Sequence, residues 1–291
     1  MKIHQIRTIG IAGAGTMGQG IAQVCAQSGY LVLLYDINED LIRKGLSQIE
    51  KSLQQSVDKG KLNADEKSKV LSYIVPQPDL HQLRVDLVIE AIIEKPEPKK
   101  EMFATLEQVN SKHSILTTNT SSIPVTQIAS ALKHPHRFAG LHFFNPAHIM
   151  KLVEIISGAG TDKETVETLR LFSEKLGKVP VLAKDSPGFI VNRVARHYYV
   201  EALKLLEENV ADVETIDNLM RSSGFRMGPF ELMDLIGVDT NLSVTMSMYN
   251  AFHQDPKFRP NRIQQQKVDA GHHGRKSGKG FYDYNSSNQK E

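Results

Sequence analysis

The sequence has only one cysteine among its 291 residues, Cys25, and it has no tryptophan. One cysteine cannot form an internal disulfide, and this scarcity indicates a reducing compartment. Cys25 falls in a predicted helix, so we expect it to pack rather than to react. The fold must be stabilised by an ordinary hydrophobic core, and a 40% hydrophobic content in a chain long enough for two domains is sufficient for one.

An excess of charge of one sign is also missing. The 35 Lys and Arg residues and the 33 Asp and Glu residues are spread along the chain and leave a net charge of +2. Proteins that bind nucleic acid through its phosphates concentrate positive charge on one surface. The composition therefore gives no support for a nucleic-acid partner.

Long apolar runs are absent as well. No uncharged stretch approaches the roughly 18 to 20 residues that span a bilayer, and no basic, apolar and small-residue signal of the secretory type precedes the first predicted strand. We therefore expect no membrane partner. The expected location is the cytoplasm, or an organelle matrix if the source has organelles.

A glycine-rich segment follows the apolar run 6–12 and opens a helical pattern. It consists of Gly13, Ala14, Gly15, Thr16, Met17 and Gly18. In a dinucleotide-binding βαβ unit, the first glycine permits the tight turn, the second lets the backbone approach a pyrophosphate, and the third lets the helix pack against the strand. The pyrophosphate then rests on the N–H groups at the helix start. The segment therefore predicts a dinucleotide site, the alternative being an ordinary turn between strand and helix.

Asp36 closes the next apolar run, Leu31–Tyr35, at the position of a ribose-binding acid. A carboxylate accepts hydrogen bonds from ribose hydroxyls but repels a 2′-phosphate. Ile37 and Asn38 follow it, and no arginine is adjacent. The predicted cofactor is therefore NAD rather than NADP.

Strand and helix patterns alternate through the first two thirds of the chain. After the first helix, strands are predicted at 31–35, 86–93, 115–118, 137–141, 151–156 and 179–183, and helices at about 39–59, 96–109, 125–132 and 163–176. This alternation is typical of an α/β fold with a doubly wound, Rossmann-type sheet. We assign residues 1–184 to this domain.

The composition changes after Lys184. Ser186, Pro187 and Gly188 combine a capping residue with a proline, which predicts the start of a broadly apolar helix. Further helices are predicted at 213–220, 230–236 and 240–252, with no strand pattern. Residues 185–291 are therefore predicted to form an all-α C-terminal domain. Its surplus of apolar residues predicts burial against a second copy in a homodimer.

His142 and Glu154 form a candidate catalytic pair. In an open parallel sheet, ligands bind beyond the carboxyl ends of the strands, and His142 ends one predicted strand. Glu154 lies inside the next strand, where an unpaired carboxylate is costly to bury. If segment 143–150 reverses the chain, the two residues become cross-strand neighbours. A histidine oriented by a carboxylate suits proton transfer, so His142 is the predicted general base, although an isolated histidine more often has a structural role.

Six segments, in order, span the chain and carry a resemblance. They are Gly-Ala-Gly-Thr-Met-Gly-Gln-Gly-Ile-Ala-Gln at 13–23, Asn-Thr-Ser-Ser at 119–122, Leu-His-Phe-Phe-Asn-Pro at 141–146, Lys-Leu-Val-Glu at 151–154, Lys-Asp-Ser-Pro-Gly-Phe-Ile-Val-Asn-Arg at 184–193, and Gly-Pro-Phe-Glu-Leu at 228–232. Together they resemble the L-3-hydroxyacyl-CoA dehydrogenases, including the short-chain 3-hydroxybutyryl-CoA enzymes. One departure is Arg226, where relatives often carry a smaller or apolar residue.

The resemblance implies a reaction and a role for each matching residue. The reaction is the reversible, NAD-dependent oxidation of an L-3-hydroxyacyl-CoA thioester, with no metal. His142 corresponds to the catalytic base and Glu154 to its orienting partner. Ser121 and Asn192 correspond to residues that hold the substrate's oxygens. We expect a stand-alone dehydrogenase without an added hydratase domain.

The resemblance also implies binding residues. The positions that match the lining of the cofactor are Glu94, Lys99, Asn145 and Lys276. Ser52 and Lys59 match positions that contact coenzyme A, with Lys51 and Lys61 as nearby alternatives to Lys59. By residue type alone, the face of the helix that carries Ser52 and Lys59 is better explained as a solvated surface.

Two other functions stay open. The first is a dehydrogenase of free 3-hydroxy acids or sugar acids, of the lambda-crystallin-like group, although Phe143, Phe144 and the Ser52 and Lys59 pair favour a thioester. The second is a non-catalytic NAD-binding protein. Such a protein is expected to lack part of the catalytic set, and the sequence retains all of it.

Overall fold

The computed structural model describes residues 1–285. Contacts divide the chain into two compact units, Met1–Ser186 and the residues from Pro187 onward. The strands are β1 (Thr8–Ala12), β2 (Leu31–Tyr35), β3 (Ile74–Pro76), β4 (Leu87–Glu90), β5 (Ile115–Thr118), β6 (Phe138–Phe143), β7 (Leu152–Ser157) and β8 (Val179–Lys184). The α-helices are α1 (Thr16–Gln27), α2 (Glu39–Asp58), α3 (Ala64–Ser72), α4 (Pro96–Val109), α5 (Val125–Ala129), α6 (Lys163–Lys175), α7 (Val191–Glu207), α8 (Val213–Ser222), α9 (Pro229–Ile236), α10 (Val238–Ala251) and α11 (Arg262–Asp269).

One sheet organises the first unit. Its strand order is β3-β2-β1-β4-β5-β6-β7-β8, and all neighbours are parallel except β6 and β7. Strands β4, β5 and β6 are buried along their whole length, as expected for strands that helices cover on both faces. The order reverses between β1 and β4, and open α/β sheets bind ligands outside the carboxyl ends at such a reversal. The predicted fold class, a doubly wound sheet followed by an all-α unit, is confirmed.

The elements α3 and β3 are not predicted by the sequence. Each buries a single apolar side chain, Val70 in α3 and Ile74 in β3, so neither carries an apolar repeat. A capping box defines the start of α3, because the Asn63 side chain accepts from the Glu66 N–H and the Glu66 carboxylate accepts from the Asn63 N–H. The sequence signal for the start of α3 is therefore Glu66, three residues after the capping Asn63.

The connection between β6 and β7 reverses the chain as predicted. The resulting antiparallel register places His142 directly opposite Glu154. A buried lysine holds the connecting loop, because Lys178 Nζ donates to the carbonyl oxygens of Ala147 at 2.6 Å and Met150 at 2.8 Å. The loop after His142 is therefore fixed to the body of the first unit.

The first helix of the second unit begins later than predicted. Gly188 and Phe189 adopt positive φ angles of +71° and +50°, and α7 starts only at Val191. Left-handed residues interrupt a right-handed helix, so the prediction that Ser186-Pro187-Gly188 forms the helix start is wrong. A Cβ on Gly188 would also lie 2.8 Å from Met248 Cε. Glycine at this position is thus required by both conformation and packing.

Two buried carboxylates attach the end of the described chain to the helices of the second unit. Asp217 accepts from the Tyr282 hydroxyl at 2.8 Å. Asp234 accepts from the Phe281 N–H at 2.9 Å and from the Tyr284 hydroxyl at 3.0 Å. The aromatic residues of this tail therefore anchor it to the second unit.

Within residues 1–285, no helix combines the length and apolar character needed to cross a membrane. The same residues contain no cluster of three or more His, Cys, Asp and Glu side chains arranged to hold a metal ion. The adjacent His272 and His273 follow α11, and His273 Nε2 lies 3.2 Å from the carbonyl oxygen of Val268.

Candidate active site

The glycine-rich segment forms the turn from β1 into α1. Gly13 has a φ of +112°, and a Cβ there would lie 2.4 Å from the carbonyl oxygen of Ala91. A Cβ on Gly18 would lie 1.7 Å from the carbonyl oxygen of Gly13, whereas one on Gly15 would meet nothing within 4 Å. The first and third glycines are therefore needed by the protein itself, and the space above Gly15 is open to a ligand. That is the arrangement expected of a pyrophosphate cradle at a helix start.

Asp36 directly follows β2, beside this turn. Its Oδ2 atom accepts from the Ala14 N–H at 2.7 Å and its Oδ1 atom accepts from the Ile37 N–H at 2.8 Å. Asp36 also lines a cavity of about 570 Å³, together with Gly13, Gly15 and apolar side chains that include Ile92. The structure thus brings the glycine turn and the predicted ribose-binding acid into one apolar-walled cavity, which fits the adenosine half of a dinucleotide.

His142 and Glu154 are hydrogen-bonded across β6 and β7. The distance from His142 Nδ1 to Glu154 Oε2 is 2.8 Å, and both side chains are buried. The ring of Phe144 packs on the imidazole with a centroid distance of 4.5 Å. On the other side, Asn119 Oδ1 accepts from the Phe143 N–H at 2.7 Å and ties the end of β5 to the end of β6. The predicted pairing of His142 with Glu154 is confirmed, and contacts from residues just beyond β5 and β6 hold it in position.

A second cluster of polar residues lies at the carboxyl ends of β4 and β5. Lys99 Nζ is 2.5 Å from Glu90 Oε1 and 3.1 Å from Glu94 Oε2, and the lysine side chain is only 1% exposed. Glu94 in turn accepts from the Thr120 hydroxyl at 2.6 Å and from the Ser121 N–H at 2.8 Å. The structure therefore connects three predicted residues, Glu94, Lys99 and Ser121, in one network.

The two carboxylates of this cluster titrate differently. Burial raises the pKa of Glu90 above its ordinary value, even though Lys99 and the hydrogen bonds it accepts oppose the effect. Burial also acts to raise the pKa of Glu94, but Lys99 and the bonds from Thr120 and Ser121 outweigh it, so that pKa is held below its ordinary value. Lys99 lowers the pKa of both carboxylates, so the difference follows from burial, which is complete for Glu90 and partial for Glu94.

The predicted substrate residues are only partly brought together. Ser52 lines a cavity of about 300 Å³ with Thr16, Asn145 and Lys51. Lys59 is exposed one residue beyond the end of α2 and is not part of that lining. The alternative Lys51 is thus the lysine that shares a cavity with Ser52. Lys59 lies seven residues beyond Ser52, which is about 10 Å along the axis of α2 because an α-helix rises about 1.5 Å per residue.

Two predicted residues belong to the second unit. Asn192 is in the first turn of α7. Lys276 Nζ lies 2.7 Å from the carboxylate of Asp239, which holds it to the start of α10.

Sequence reasoning did not identify Glu90 as a member of the site. Glu90 ends the apolar run that forms β4, and it is fully buried. The criterion that singled out Glu154, a carboxylate inside a buried strand, also applies to Glu90 and would have found it. Its partners Lys99 and Thr118 come from α4 and β5, so the sequence alone does not indicate them.

Comparison with models of known protein families identifies the family of this chain. A model of the 3-hydroxyacyl-CoA dehydrogenase NAD binding domain matches residues 8–186, and a model of the C-terminal domain of 3-hydroxyacyl-CoA dehydrogenase matches residues 188–284. The chain belongs to the 3-hydroxyacyl-CoA dehydrogenase family. Membership confirms the resemblance in the sequence, and the match to an NAD binding domain confirms NAD as the cofactor.

Individual members of the family are similar over nearly the whole chain. The 3-hydroxyadipyl-CoA dehydrogenase of Escherichia coli (strain K12) is 49% identical over 286 residues, which cover 98% of this chain and 60% of that protein. The probable 3-hydroxybutyryl-CoA dehydrogenase of Bacillus subtilis (strain 168) is 42% identical over 282 residues, covering 96% of this chain and 98% of the relative. A crystal structure of the (S)-3-hydroxybutyryl-CoA dehydrogenase from Ralstonia eutropha has a TM-score of 0.92 at 40% identity, covering 96% of this chain and 99% of that one. The chain thus spans about three fifths of the first relative and almost all of the other two.

Proposed function

We propose that this protein oxidises L-3-hydroxyacyl-CoA thioesters, such as 3-hydroxybutyryl-CoA, to 3-oxoacyl-CoA with NAD, reversibly. The observation that carries the proposal is the buried His142 and Glu154 pair, with 2.8 Å between Nδ1 and Oε2, on the sheet that carries the dinucleotide turn. The names of the relatives support the thioester substrate.

His142 is the proposed proton acceptor. Its Nδ1–H donates to the Glu154 carboxylate, so the lone pair of the neutral imidazole lies on Nε2. Nε2 takes the proton of the substrate hydroxyl while the carbon loses its hydride and becomes a carbonyl carbon. NAD, when bound, supplies the hydride acceptor. Glu154 stabilises the imidazolium that forms, and in the reverse direction His142 returns the proton.

Ser121 and Asn192 are the proposed ligands of the substrate's oxygens. The backbone of Ser121 is held by its N–H bond to Glu94, which restricts where its hydroxyl is presented. Ser52 and Lys59 are the proposed contacts with coenzyme A, with Lys51 as the alternative that shares a cavity with Ser52. For the cofactor, we propose Gly13, Ala14, Gly15, Thr16, Met17 and Gly18 at the pyrophosphate, Asp36 at the ribose, and Glu94, Lys99, Asn145 and Lys276 elsewhere along the dinucleotide.

Loss of NADH absorbance distinguishes the candidate functions. Purified protein is mixed with NADH and then with acetoacetyl-CoA, with acetoacetate, or with buffer. Consumption with the thioester alone supports the proposal. Consumption with the free acid supports a hydroxy-acid dehydrogenase, and consumption with neither, when NADH still binds, supports a non-catalytic NAD-binding protein.

An acyl chain with a carboxylate at its far end is a second candidate substrate. The relative at 49% identity is named for 3-hydroxyadipyl-CoA, a thioester of this kind. Arg226, in the loop between α8 and α9, is exposed, and no residue among 1–285 makes an ion pair or hydrogen bond with it. That loop is held in place, because Phe225 stacks on Tyr198 at 4.8 Å and the Tyr198 hydroxyl donates to the Met227 carbonyl. A fixed loop that presents an unpaired guanidinium suits recognition of a carboxylate.

The Arg226 hypothesis predicts a change in substrate preference. Replacing Arg226 with Met should raise the KM for 3-hydroxyadipyl-CoA about tenfold, because one charge-assisted hydrogen bond is lost, and should leave the KM for 3-hydroxybutyryl-CoA within about twofold. Steady-state kinetics with both thioesters measure the two values, and Arg226→Lys is the matched variant that keeps the charge. Equal changes for both substrates would reject the hypothesis.

We also propose that the protein forms a homodimer through the second unit. Its proposed location is the cytoplasm. Support for the dimer comes from large apolar side chains that are exposed on that unit, among them Val194, Val210 and Leu219, each more than 60% exposed. Support for a reducing compartment comes from the single cysteine, which is buried.

A further inference from the structure

The cluster of Glu90, Lys99 and Glu94 contains more negative than positive groups, and Glu90 and Lys99 are its buried members. Glu90 is fully buried, yet it accepts three hydrogen bonds, from the Ile92 N–H at 2.7 Å, the Lys99 ammonium at 2.5 Å and the Thr118 hydroxyl at 2.6 Å. Donors that converge on a carboxylate stabilise its ionised form, and these three oppose the rise in the pKa of Glu90 that burial causes.

The cluster has one more negative charge than positive charge when both carboxylates are ionised. With both carboxylates ionised, Glu90 and Glu94 contribute two negative charges and Lys99 contributes one positive charge. Lys99 is only 1% exposed and contacts both carboxylates, so its charge is shared within the cluster. A purely structural ion pair with the buried Lys99 needs one carboxylate, which Glu90 already supplies, and Glu94 adds a second negative charge at 38% exposure. The surplus negative charge therefore favours a cationic partner that is not one of these three groups.

The place of the cluster in the sheet indicates which half of NAD lies nearby. The glycine turn follows β1 and Asp36 follows β2, so the pyrophosphate and the adenosine ribose lie on the β1 and β2 side of the point where the strand order reverses. His142 is on β6, on the other side, and the reacting carbon must lie beside it. The nicotinamide half therefore extends across the carboxyl ends of β4 and β5, where the Glu90 cluster is found.

The nicotinamide ring is positively charged in NAD⁺ and neutral in NADH, while the rest of the two molecules carries the same charge. We propose that Glu90 is a positioning and electrostatic residue whose charge, through the cluster with Lys99 and Glu94, makes the protein bind NAD⁺ more tightly relative to NADH. This proposal rests on NAD binding by the first unit and does not depend on the identity of the thioester substrate. A protein that binds one redox state better shifts the bound couple toward that state.

The test compares the affinity for the two redox states. Replacing Glu90 with Gln removes the charge and keeps the size. The single amide oxygen can replace Oε1, which accepts from Lys99 and Ile92, and the amide NH2 group replaces Oε2 and can donate to the Thr118 hydroxyl. Two unit charges about 10 Å apart at an effective dielectric of about 20 interact strongly enough for roughly a tenfold change in binding. We expect the ratio Kd(NAD⁺)/Kd(NADH) to rise about three- to tenfold in Glu90→Gln, and tenfold corresponds to about 30 mV for a two-electron couple. Calorimetric titration of the full-length protein with each nucleotide measures the ratio, at mildly alkaline pH because burial raises the pKa of Glu90 and a higher pH favours its ionised form.

Glu107→Gln is the matched control. Glu107 is also a largely buried carboxylate of α4, but it lies eight residues from Lys99 and accepts from the N–H groups of Lys133 and His134. The ratio Kd(NAD⁺)/Kd(NADH) of the Glu107→Gln protein should equal that of the wild type. Equal weakening of both nucleotides in Glu90→Gln, or an unchanged ratio, would show a merely structural role and overturn the proposal.

A second variant keeps the proposal testable if Glu90→Gln does not fold. Glu94 is 38% exposed, so Glu94→Gln removes one charge from the same cluster at lower structural risk. The ratio should rise in this variant as well, whatever happens to the individual affinities. A wild-type ratio in a folded Glu94→Gln protein would count against the surplus charge as the cause. Thioester turnover is assayed separately, so a failure of the proposed reaction and a failure of this proposal give different results.

Discussion

At the scale of single residues, burial separates the side chains that have a chemical purpose from those that pack. Cys25 is fully buried, and burial raises the pKa of its thiol far above the ordinary value, which makes it unreactive as the sequence indicates. His142 and Glu154 are buried too, but they are polar, hydrogen-bonded to each other and set at the ligand-binding edge of the sheet. A buried polar pair at such an edge is costly to keep without a function.

Glu154→Gln tests the orienting role of the carboxylate. Gln is nearly the same size but cannot stabilise the imidazolium, and its amide group can favour the wrong tautomer of His142. By analogy with triads that lose their carboxylate, kcat should fall about 10³- to 10⁴-fold. His142→Gln should abolish turnover altogether. Stopped-flow or steady-state rates with acetoacetyl-CoA measure both variants.

NADH affinity is the control for these two substitutions. Fluorescence titration should give a Kd for NADH within about twofold of the wild type, because neither residue belongs to the glycine turn or its cavity. An undiminished rate in His142→Gln would eliminate its role as the base.

At the scale of elements, the turn between β1 and α1 shows how three glycines in one motif serve different needs. Gly13 needs its backbone conformation, Gly18 lies against the backbone of Gly13, and Gly15 borders open space. The difference cannot be seen in the spacing of the glycines. It makes a matched pair of substitutions informative.

Gly18→Ala and Gly15→Ala should have opposite phenotypes. A methyl group at position 18 would overlap the Gly13 carbonyl, so α1 must shift, and unfolding stability should fall by about 1 to 3 kcal/mol. A methyl group at position 15 meets nothing in the protein, so stability should stay within about 1 kcal/mol while the Kd for NADH rises at least about tenfold. Urea unfolding and NADH titration measure the two effects. Wild-type NADH affinity in Gly15→Ala would contradict the proposed position of the pyrophosphate.

The end of α4 gives a prediction about acid stability. Burial acts to raise the pKa of Glu107, but hydrogen bonds from the Lys133 and His134 N–H groups and the charge of Arg137 outweigh it and hold the pKa below its ordinary value. The carboxylate therefore contributes stability above the unfolded pKa, which is lost as the pH falls through the lower folded pKa. Wild type should be more stable than Glu107→Gln in urea at pH 7, and the difference should shrink as the pH is lowered below about 4.5. A difference that grows on acidification would contradict this assignment.

At the scale of the whole molecule, the second unit has an apolar surface that its own helices do not cover. Side chains that are at least 40% exposed include Val194, Leu219, Phe225, Leu235 and Met246. Among residues 1–285, nine exposed large apolar side chains lie in Met1–Ser186 and eight lie in the much shorter second unit, and this higher density supports the proposed association.

The expected association is a homodimer. Sedimentation velocity should give twice the chain mass of 32.5 kDa at micromolar concentration. Leu219→Asp places a charge on the apolar surface and should raise the dimer dissociation constant at least about tenfold, because an unpaired charge is costly to bury. Circular dichroism checks that the variant is folded. A wild-type protein that is monomeric at all accessible concentrations would refute the dimer.

Much of the fold and the central pair of the site are predictable because their signals are local. The turn at Gly13 and the strands that follow it have apolar runs and special residues in a fixed order along the chain. The pairing of His142 with Glu154 is predictable for a similar reason, since a short connection between two strands leaves an antiparallel return as the simplest geometry. In contrast, α3, β3 and α11 have weak apolar patterns and are not predicted. The start of α7 is predicted too early, because Gly188 and Phe189 are left-handed and the helix begins only after them, not at the apparent cap Ser186.

The amino-acid sequence by itself determined the class of fold, the NAD-binding turn and the choice of a histidine and a glutamate as partners, because periodicity, glycine geometry and the cost of an unpaired buried carboxylate act over short stretches of chain. Only the tertiary structure decided that Glu90 meets Lys99 from α4 and Thr118 from β5, and that Lys51 rather than Lys59 shares a cavity with Ser52. Those contacts depend on which strands become neighbours and on how far each helix extends over the sheet. Both depend on how the whole unit packs, and no single segment of the sequence determines that packing.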